Sequence, residues 1–228
     1  MARVVNEGEY AVKRNQILDA AQRLIYSKGY EQMSIQDMLD ELQISKGAFY
    51  HYFGSKQALL EALIERMMHE AEQVITPIVQ DPNLAAIEKF QRFFDTIARW
   101  KTARKKIMLA ILQSWYSDDN AILRQKVSMA GLKWFTPLLA LIICQGGREG
   151  VITTPYPEQV SGVLMSLMLG MGDAIAESFL PDGLDHRALQ RIQLTIDVYA
   201  DAMERILGVP PHSIQFMDPE ILKEWQIA

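Results

Sequence analysis

All nine prolines of this chain lie at or after Pro77, which leaves the first 76 residues free of the one residue that breaks a helix from within. Downstream, Pro77, Pro82, Pro137, Pro155, Pro157 and Pro181 cut the chain into segments of helical length. The asymmetry predicts two parts: a short, continuously helical head and a larger, punctuated body.

Helical spacing fills both parts. In the head, Ile17, Ala21, Leu24 and Ile25 repeat at helical intervals and stop at Gly29, a residue suited to a left-handed helix end. Ser34 can cap a second helix, with Asp37 three residues on and Ile35, Met38, Leu39 and Leu42 as its apolar stripe. Ser45 can cap a third, very short helix carrying Phe49 and Phe53. Gly54 and Ser55 end it and start a fourth, with Leu59, Leu60, Leu63, Ile64 and Met67 on one side. Beyond Pro82 the periodicity predicts helices at 84–101, 104–116, 119–146, 157–180 and 185–207. Val151 to Thr154 is the one β-branched run, and Gly150 and Pro155 on either side predict a loop there. The last twenty residues, with Pro210, Pro211 and Pro219, read as an extended tail with one turn around Glu220 to Trp225. The expected fold class is all-α.

Composition narrows the function classes. At 49% hydrophobic and 22% charged residues the chain has the makeup of a globular protein with a real core, not of a disordered or collagen-like one. A single cysteine, Cys144, excludes an intrachain disulfide and a thiolate metal cluster, and it is expected to be a small buried hydrophobe. The first 16 residues carry Arg3, Glu7, Glu9, Lys13 and Arg14 with no apolar run, so no signal peptide is expected. The longest apolar stretch, Trp134 to Cys144, is interrupted by Thr136 and Pro137 and falls short of the roughly 20 residues of a membrane span. The expectation is a soluble, cytoplasmic protein without membrane contact.

Formal net charge is −5, which argues against coating nucleic acid through a general basic field. Residues 1–56 nevertheless hold seven Lys and Arg against seven Asp and Glu, leaving 16 against 21 for the rest, so the head is electrically distinct. Only Gln43 and Ile44 separate the second and third helices, the spacing of a helix-turn-helix. On the third helix Phe49 and Phe53 face inward, while Lys46, Gly47, Tyr50 and His51 lie on the other side. Gly47 and Ala48 let the backbone approach a groove floor, and Ala48 suits a thymine methyl. Lys56 and the caps Ser34 and Ser45 are placed for phosphates, because helix N-termini offer unpaired N–H groups.

Ser34-Ile35, then Ile44 through Lys56 (Ile-Ser-Lys-Gly-Ala-Phe-Tyr-His-Tyr-Phe-Gly-Ser-Lys) and Leu59-Leu60, resemble the N-terminal signature of the TetR family of bacterial transcriptional regulators. The resemblance covers roughly residues 12–65; the remainder matches in helix count and length. It implies a helix-turn-helix domain at 1–56, an effector-binding and dimerisation domain at 57–208 and a tail at 209–228. It also implies a homodimer on a palindromic DNA operator, most often a repressor, released by a small molecule. Tyr50 and His51 become DNA contacts on that reading. The family usually has glycine in the turn where this chain has Gln43, and a positive φ there would strain Gln43 by about 1 kcal/mol.

The middle helices concentrate Trp100, Met108, Trp115, Tyr116, Met129 and Trp134, which would line a cavity for an apolar or amphipathic effector, with Gln113, Ser114 or Asp173 orienting it. The same side chains also suit a plain core. Gly162, Ser166, Gly170 and Ala174 form a stripe of small side chains, and Ile192, Ile196, Tyr199, Met203 and Ile206 form an apolar face on the last long helix. The resemblance places these in a four-helix dimer bundle. The basic cluster Arg99, Lys101, Arg104, Lys105 and Lys106 reads as a solvated face. His69, His186 and His212 are scattered, so neither a metal site nor a catalytic set is expected, and no cofactor. The alternatives to a regulator are an interaction module that does not bind DNA and an all-α enzyme.

Overall fold

The computed structural model describes residues 7–116, 120–178 and 186–225. Among them are ten helices and no strand: α1 (Glu7–Lys28), α2 (Ile35–Leu42), α3 (Lys46–Tyr52), α4 (Lys56–Gln80), α5 (Ala86–Ala103), α6 (Lys105–Trp115), α7 (Ala121–Glu149), α8 (Pro157–Glu177), α9 (His186–Leu207) and α10 (Pro219–Lys223). Pro77 does not end α4, which runs on to Gln80 with the proline inside it, and α7 likewise contains Pro137. Part of the stretch expected as helix at 157–180 and 185–207, residues 179, 180 and 185, lies outside the described residues.

The chain divides into two compact units, one of Met1–Met67 with Lys106–Val127 and one of Met68–Lys105 with Ser128–Ala228. In the first, Ile17, Leu18, Ala21 and Ile25 of α1 close a core with Met38 of α2, Phe49 of α3 and Leu59, Leu60 and Leu63 of α4, all nearly inaccessible. α6 belongs to this unit from Lys106 onward, and its ammonium lies 5.2 Å from the centre of the Tyr26 ring on α1. Arg66 of α4 reaches back to α1, donating to Asp19 at 2.7 Å and to Gln22 at 2.9 Å. Lys126 at the start of α7 pairs with Glu61 of α4 at 3.0 Å.

The second unit is built on Phe90, Phe93 and Phe94 of α5, Leu139, Ile142 and Ile143 of α7, Leu164 of α8 and Ile192, Ile196, Met203 and Leu207 of α9. Ala85, the residue before α5, has no polar side chain to cap with, and Glu149 of α7 supplies the missing acceptor by taking the Ala86 N–H at 2.9 Å. Gln145 holds that carboxylate at 2.6 Å, and both bonds keep it below the usual carboxylate range. Lys89 is buried and donates to the Val79 carbonyl at 2.7 Å. The loop expected at 151–154 is a loop, and it ties to the end of α9: Thr153 N–H donates to Leu207 O at 3.0 Å, and Thr153 Oγ1 donates to Gly208 O at 3.0 Å. Gly208 has φ +67°, and a Cβ there would sit 2.1 Å from Thr153 Oγ1, so no larger residue fits.

The C-terminal residues are not an extended tail. Val209, Ile214, Phe216, Ile221 and Leu222 are buried, and Phe216 lies 4.5 Å from Phe94, centre to centre. Glu204, buried on α9, accepts the N–H groups of His212 at 2.9 Å and Ile214 at 3.0 Å, while Gln91 and Gln215 exchange a reciprocal pair of bonds. Proline content suggested an unpaired segment because it removes donors; the donors that remain find acceptors on α5 and α9.

α7 and α8 are long and apolar enough, by length and composition, to cross a membrane, with 28% and 22% of their apolar windows buried. Counting uninterrupted apolar runs missed them, because Pro137 and single polar residues break the runs without lowering the mean much. Cys144 is half-buried, not buried as expected.

Candidate nucleic-acid interface

Local chemistry sets the angle between α2 and α3. Ser34 Oγ accepts the Asp37 N–H at 3.1 Å, and the Asp37 carboxylate accepts the Ser34 N–H at 2.7 Å, a complete capping box. α2 ends at Gln43 in the left-handed region, φ 51° and ψ 44°, where its side chain donates to Asp40 O at 2.6 Å. The position where the family usually has glycine therefore does need a positive φ here, and Gln43 adopts it. Ser45 then caps α3 by accepting the Ala48 N–H at 3.1 Å, and Ser55 caps α4 through Ala58 N–H at 3.0 Å.

α3 is held by its inner side and offers its outer side. Phe49 and Phe53, 6.1 Å apart, are buried against the head's core, while Lys46, Gly47, Tyr50 and His51 are exposed. Tyr50 stands edge-on to Phe49 at 5.5 Å, which fixes the direction of its ring. A Cβ on Gly47 would meet only Ser45 Oγ at 3.9 Å, so nothing inside the chain demands glycine there. Ala48 is half-buried and lines a shallow cleft with Ile17, Leu42 and Tyr52.

The phosphate candidates fare differently. At Ser34 the anion slot is filled from within: Asp37 stays well below the usual carboxylate range, first because Lys28 donates to it, then because Ser34 N–H and O–H do. Lys56 donates to Glu31 O at 3.2 Å with its ammonium 4.3 Å from the centre of the Tyr30 ring, and partial burial lowers its pKa despite the charges of Glu31 and Asp37. Burial, followed by Glu31, pushes Tyr30 up to about 12.

The neutral charge count of the head hides an arrangement. Asp19 pairs with Arg66, Asp37 with Lys28 and Glu41 with Arg23, each within 2.7–2.8 Å. Among the described residues of the head, Lys13, Arg14, Lys46 and Lys56 are outside any such ion pair. Each acid is paired with a base on another element, 9 to 47 residues away, so no local spacing in the sequence announces the pairs.

Away from the head, the expected effector lining falls into both compact units: Met108, Trp115 and Tyr116 in the first, Trp100, Met129 and Trp134 in the second. Met129 is 55% exposed. Trp100 is half-buried beneath the Arg104 guanidinium, 4.3 Å from its ring centre, and its indole N–H is buried without an acceptor among the described residues. The side chains of Gln113 and Ser114 lie outside the described residues, and Asp173 is exposed. The basic cluster is dispersed onto separate partners, Arg104 on Glu70 at 3.1 Å and Lys105 on Glu224 O at 2.5 Å. His69, expected to stand apart, pairs with Glu72 at 3.2 Å and lies edge-on to Trp134 at 6.4 Å; among the described residues no cluster has metal-binding composition.

The face expected for a second subunit is split in two. Ile192, Ile196 and Met203 are 0%, 3% and 1% exposed within the single chain, and Tyr199 packs on α8, so these side chains have little surface left to give. Gly170 faces Tyr199, whose hydroxyl would lie 3.3 Å from an added Cβ, whereas Gly162 has open space beside it and Ser166 is exposed; Ala174 is half-buried. Leu194 and Val198 of α9, 65% and 60% exposed, and Val163 of α8, 50% exposed, are the apolar side chains turned outward.

The sequence carries two family matches. Residues 17–63 fit the model described as bacterial regulatory proteins, tetR family, and residues 101–173 fit a tetracyclin repressor-like C-terminal domain. An uncharacterized HTH-type transcriptional regulator of Lactococcus lactis is 48% identical over 52 residues, 23% of this chain and 26% of that protein. The HTH-type transcriptional repressor NemR of Escherichia coli is 33% identical over 67 residues, 29% of this chain and 34% of that one. The matches thus span about a quarter to a third of these relatives' own length. In fold the chain is similar to RolR, solved with the ligand resorcinol, with TM-score 0.63 and 16% identity over 98% of this chain and 99% of that one.

Proposed function

This chain belongs to the tetR family of bacterial regulatory proteins, and on that premise we propose that it is a ligand-responsive transcriptional regulator, acting as a repressor in the cytoplasm. A homodimer binds a palindromic duplex operator through α3 of each subunit and releases it when an apolar or amphipathic small molecule occupies the helical body. One observation carries the reading: a doubly capped α2–turn–α3 pair holds Phe49 and Phe53 in the core and leaves Lys46, Gly47, Tyr50 and His51 exposed on one face. Lys46 and His51 are donors suited to guanine acceptors, Gly47 admits close backbone approach, and Ala48 borders the same surface. Ser45, Ser34 and Lys56 are the phosphate-side residues; Lys56 must first leave Glu31 O, and Ser34 must first give up its bonds to the Asp37 carboxylate.

Association through α8 and α9 is supported by Leu194, Val198, Val163, Gly162 and Ser166, which leave an apolar and partly small-residue surface on the two helices. The effector reading is supported by the half-buried aromatic residues and by Trp100, whose buried indole N–H suits an acceptor on a ligand. RolR, the structural neighbour, holds resorcinol, an aromatic molecule with polar groups. Coupling to DNA is supported by α6, which joins the head's unit from Lys106 and touches Tyr26 of α1.

Selection of bound duplexes from a random pool tests this directly. Enrichment of a palindromic sequence, bound by a dimer, is the expected result; recovery of no sequence above a scrambled duplex would leave the interaction-module reading in its place.

A further inference from the structure

The family match begins at residue 17, yet α1 begins ten residues earlier, at Glu7. Those extra turns are not idle. Tyr10, Arg14 and Ile17 are spaced by four and three residues, so they share one face of α1, and that face is turned to the end of α3. Tyr10 lies 4.8 Å from Tyr52, ring centre to centre, and stands edge-on to His51 at 5.7 Å and 83°. His51 in turn meets Tyr52 edge-on at 5.1 Å and 78°. The three rings close a triangle. One turn further along, the Arg14 guanidinium lies 5.2 Å from the centre of the Phe53 ring.

We propose that the first turns of α1 clamp the reading end of α3, with Tyr10 as the positioning residue that selects the rotamer of His51. The proposal rests on the reading of α3 as the DNA-recognition helix. His51 is exposed and sits on the last turn of a helix of seven residues, where an imidazole without neighbours samples several rotamers. Two aromatic edges fix it before DNA arrives, so the ordering cost of that side chain does not fall on the complex. Tyr10 itself is half-buried under this packing and meets His51 ring to ring, so phenylalanine should serve as well.

The test uses the full chain, the duplex it enriches from a random pool, and a scrambled duplex of equal length. Tyr10→Ala should lose about 3- to 10-fold affinity for the enriched duplex, the worth of ordering one side chain, and none for the scrambled one, while Tyr10→Phe keeps both. In the free protein the His51 ring protons should show ring-current shifts in the original chain and in Tyr10→Phe that vanish in Tyr10→Ala, with the helical circular dichroism unchanged. Equal losses on both duplexes, undiminished discrimination by Tyr10→Ala, or unchanged His51 shifts overturn the clamp. Failure of the original chain to enrich any duplex overturns the DNA reading, and the role of Tyr10 with it.

Discussion

The short helix α3 and the last long helix α9 both carry an apolar stripe, but the two stripes differ in how far their partners lie along the chain. Phe49 and Phe53 belong to a core drawn from the neighbouring α1, α2 and α4, and the caps at Ser34, Ser45 and Ser55 act over three residues. Ile192, Ile196 and Met203 meet α5, α7 and α8, some of them a hundred residues away. Short-range chemistry therefore fixes inside and outside in the head, whereas on α9 a stripe at helical spacing fits the chain's own core and a second subunit equally well.

Phe49→Ala and Ile192→Ala probe the two stripes with the largest effect, each removing a fully buried side chain at a cost of about 2–5 kcal/mol in urea unfolding. An Ile192 variant of undiminished stability would return that residue to the subunit interface. Next in size, Leu194→Asp should shift the protein from dimer to monomer in sedimentation at micromolar concentration while leaving the single chain's helicity intact. Gly170→Leu is expected to disturb α8 against Tyr199 within one chain first, so it loses stability even in dilute solution.

Smaller effects sharpen the local side. Ser34→Ala removes the capping box and should cost about 0.5–2 kcal/mol. Asp37 has a folded pKa below its unfolded one, so its contribution is present above the unfolded value of about 3.9 and is lost as pH falls beneath it. Asp37→Asn should therefore flatten the acid limb of the stability profile, and an unchanged limb would remove the Lys28 and Ser34 bonds from the account. Gln43→Gly relieves a left-handed residue but loses the bond to Asp40 O and a less flexible unfolded chain, leaving a net change within about 1 kcal/mol.

How much was legible follows the same division. Helix positions, the serine caps at Ser34 and Ser45, the end at Gly29 and the strain at Gln43 are written in neighbours and were readable. The buried C-terminal residues were not, because their acceptors, Glu204 and Gln91, belong to helices that proline counting does not connect to them. The inward turn of Ile192 and Ile196 was hidden for the same reason, and so was the cancellation of Asp19, Asp37 and Glu41 by Arg66, Lys28 and Arg23. The Tyr10 contact with α3 was missed because the reading of helix one started at Ile17.

The central claim is that the exposed side of α3 reads duplex DNA. Titration of the enriched and scrambled duplexes with the original chain and with the Lys46→Ala/His51→Ala pair, repeated across salt concentrations, tests it most directly. The account predicts a preference of at least about 1,000-fold for the enriched duplex, reduced by roughly 10-fold or more in the double variant. Equal affinity for the two duplexes, or a preference that survives loss of both side chains, would contradict it.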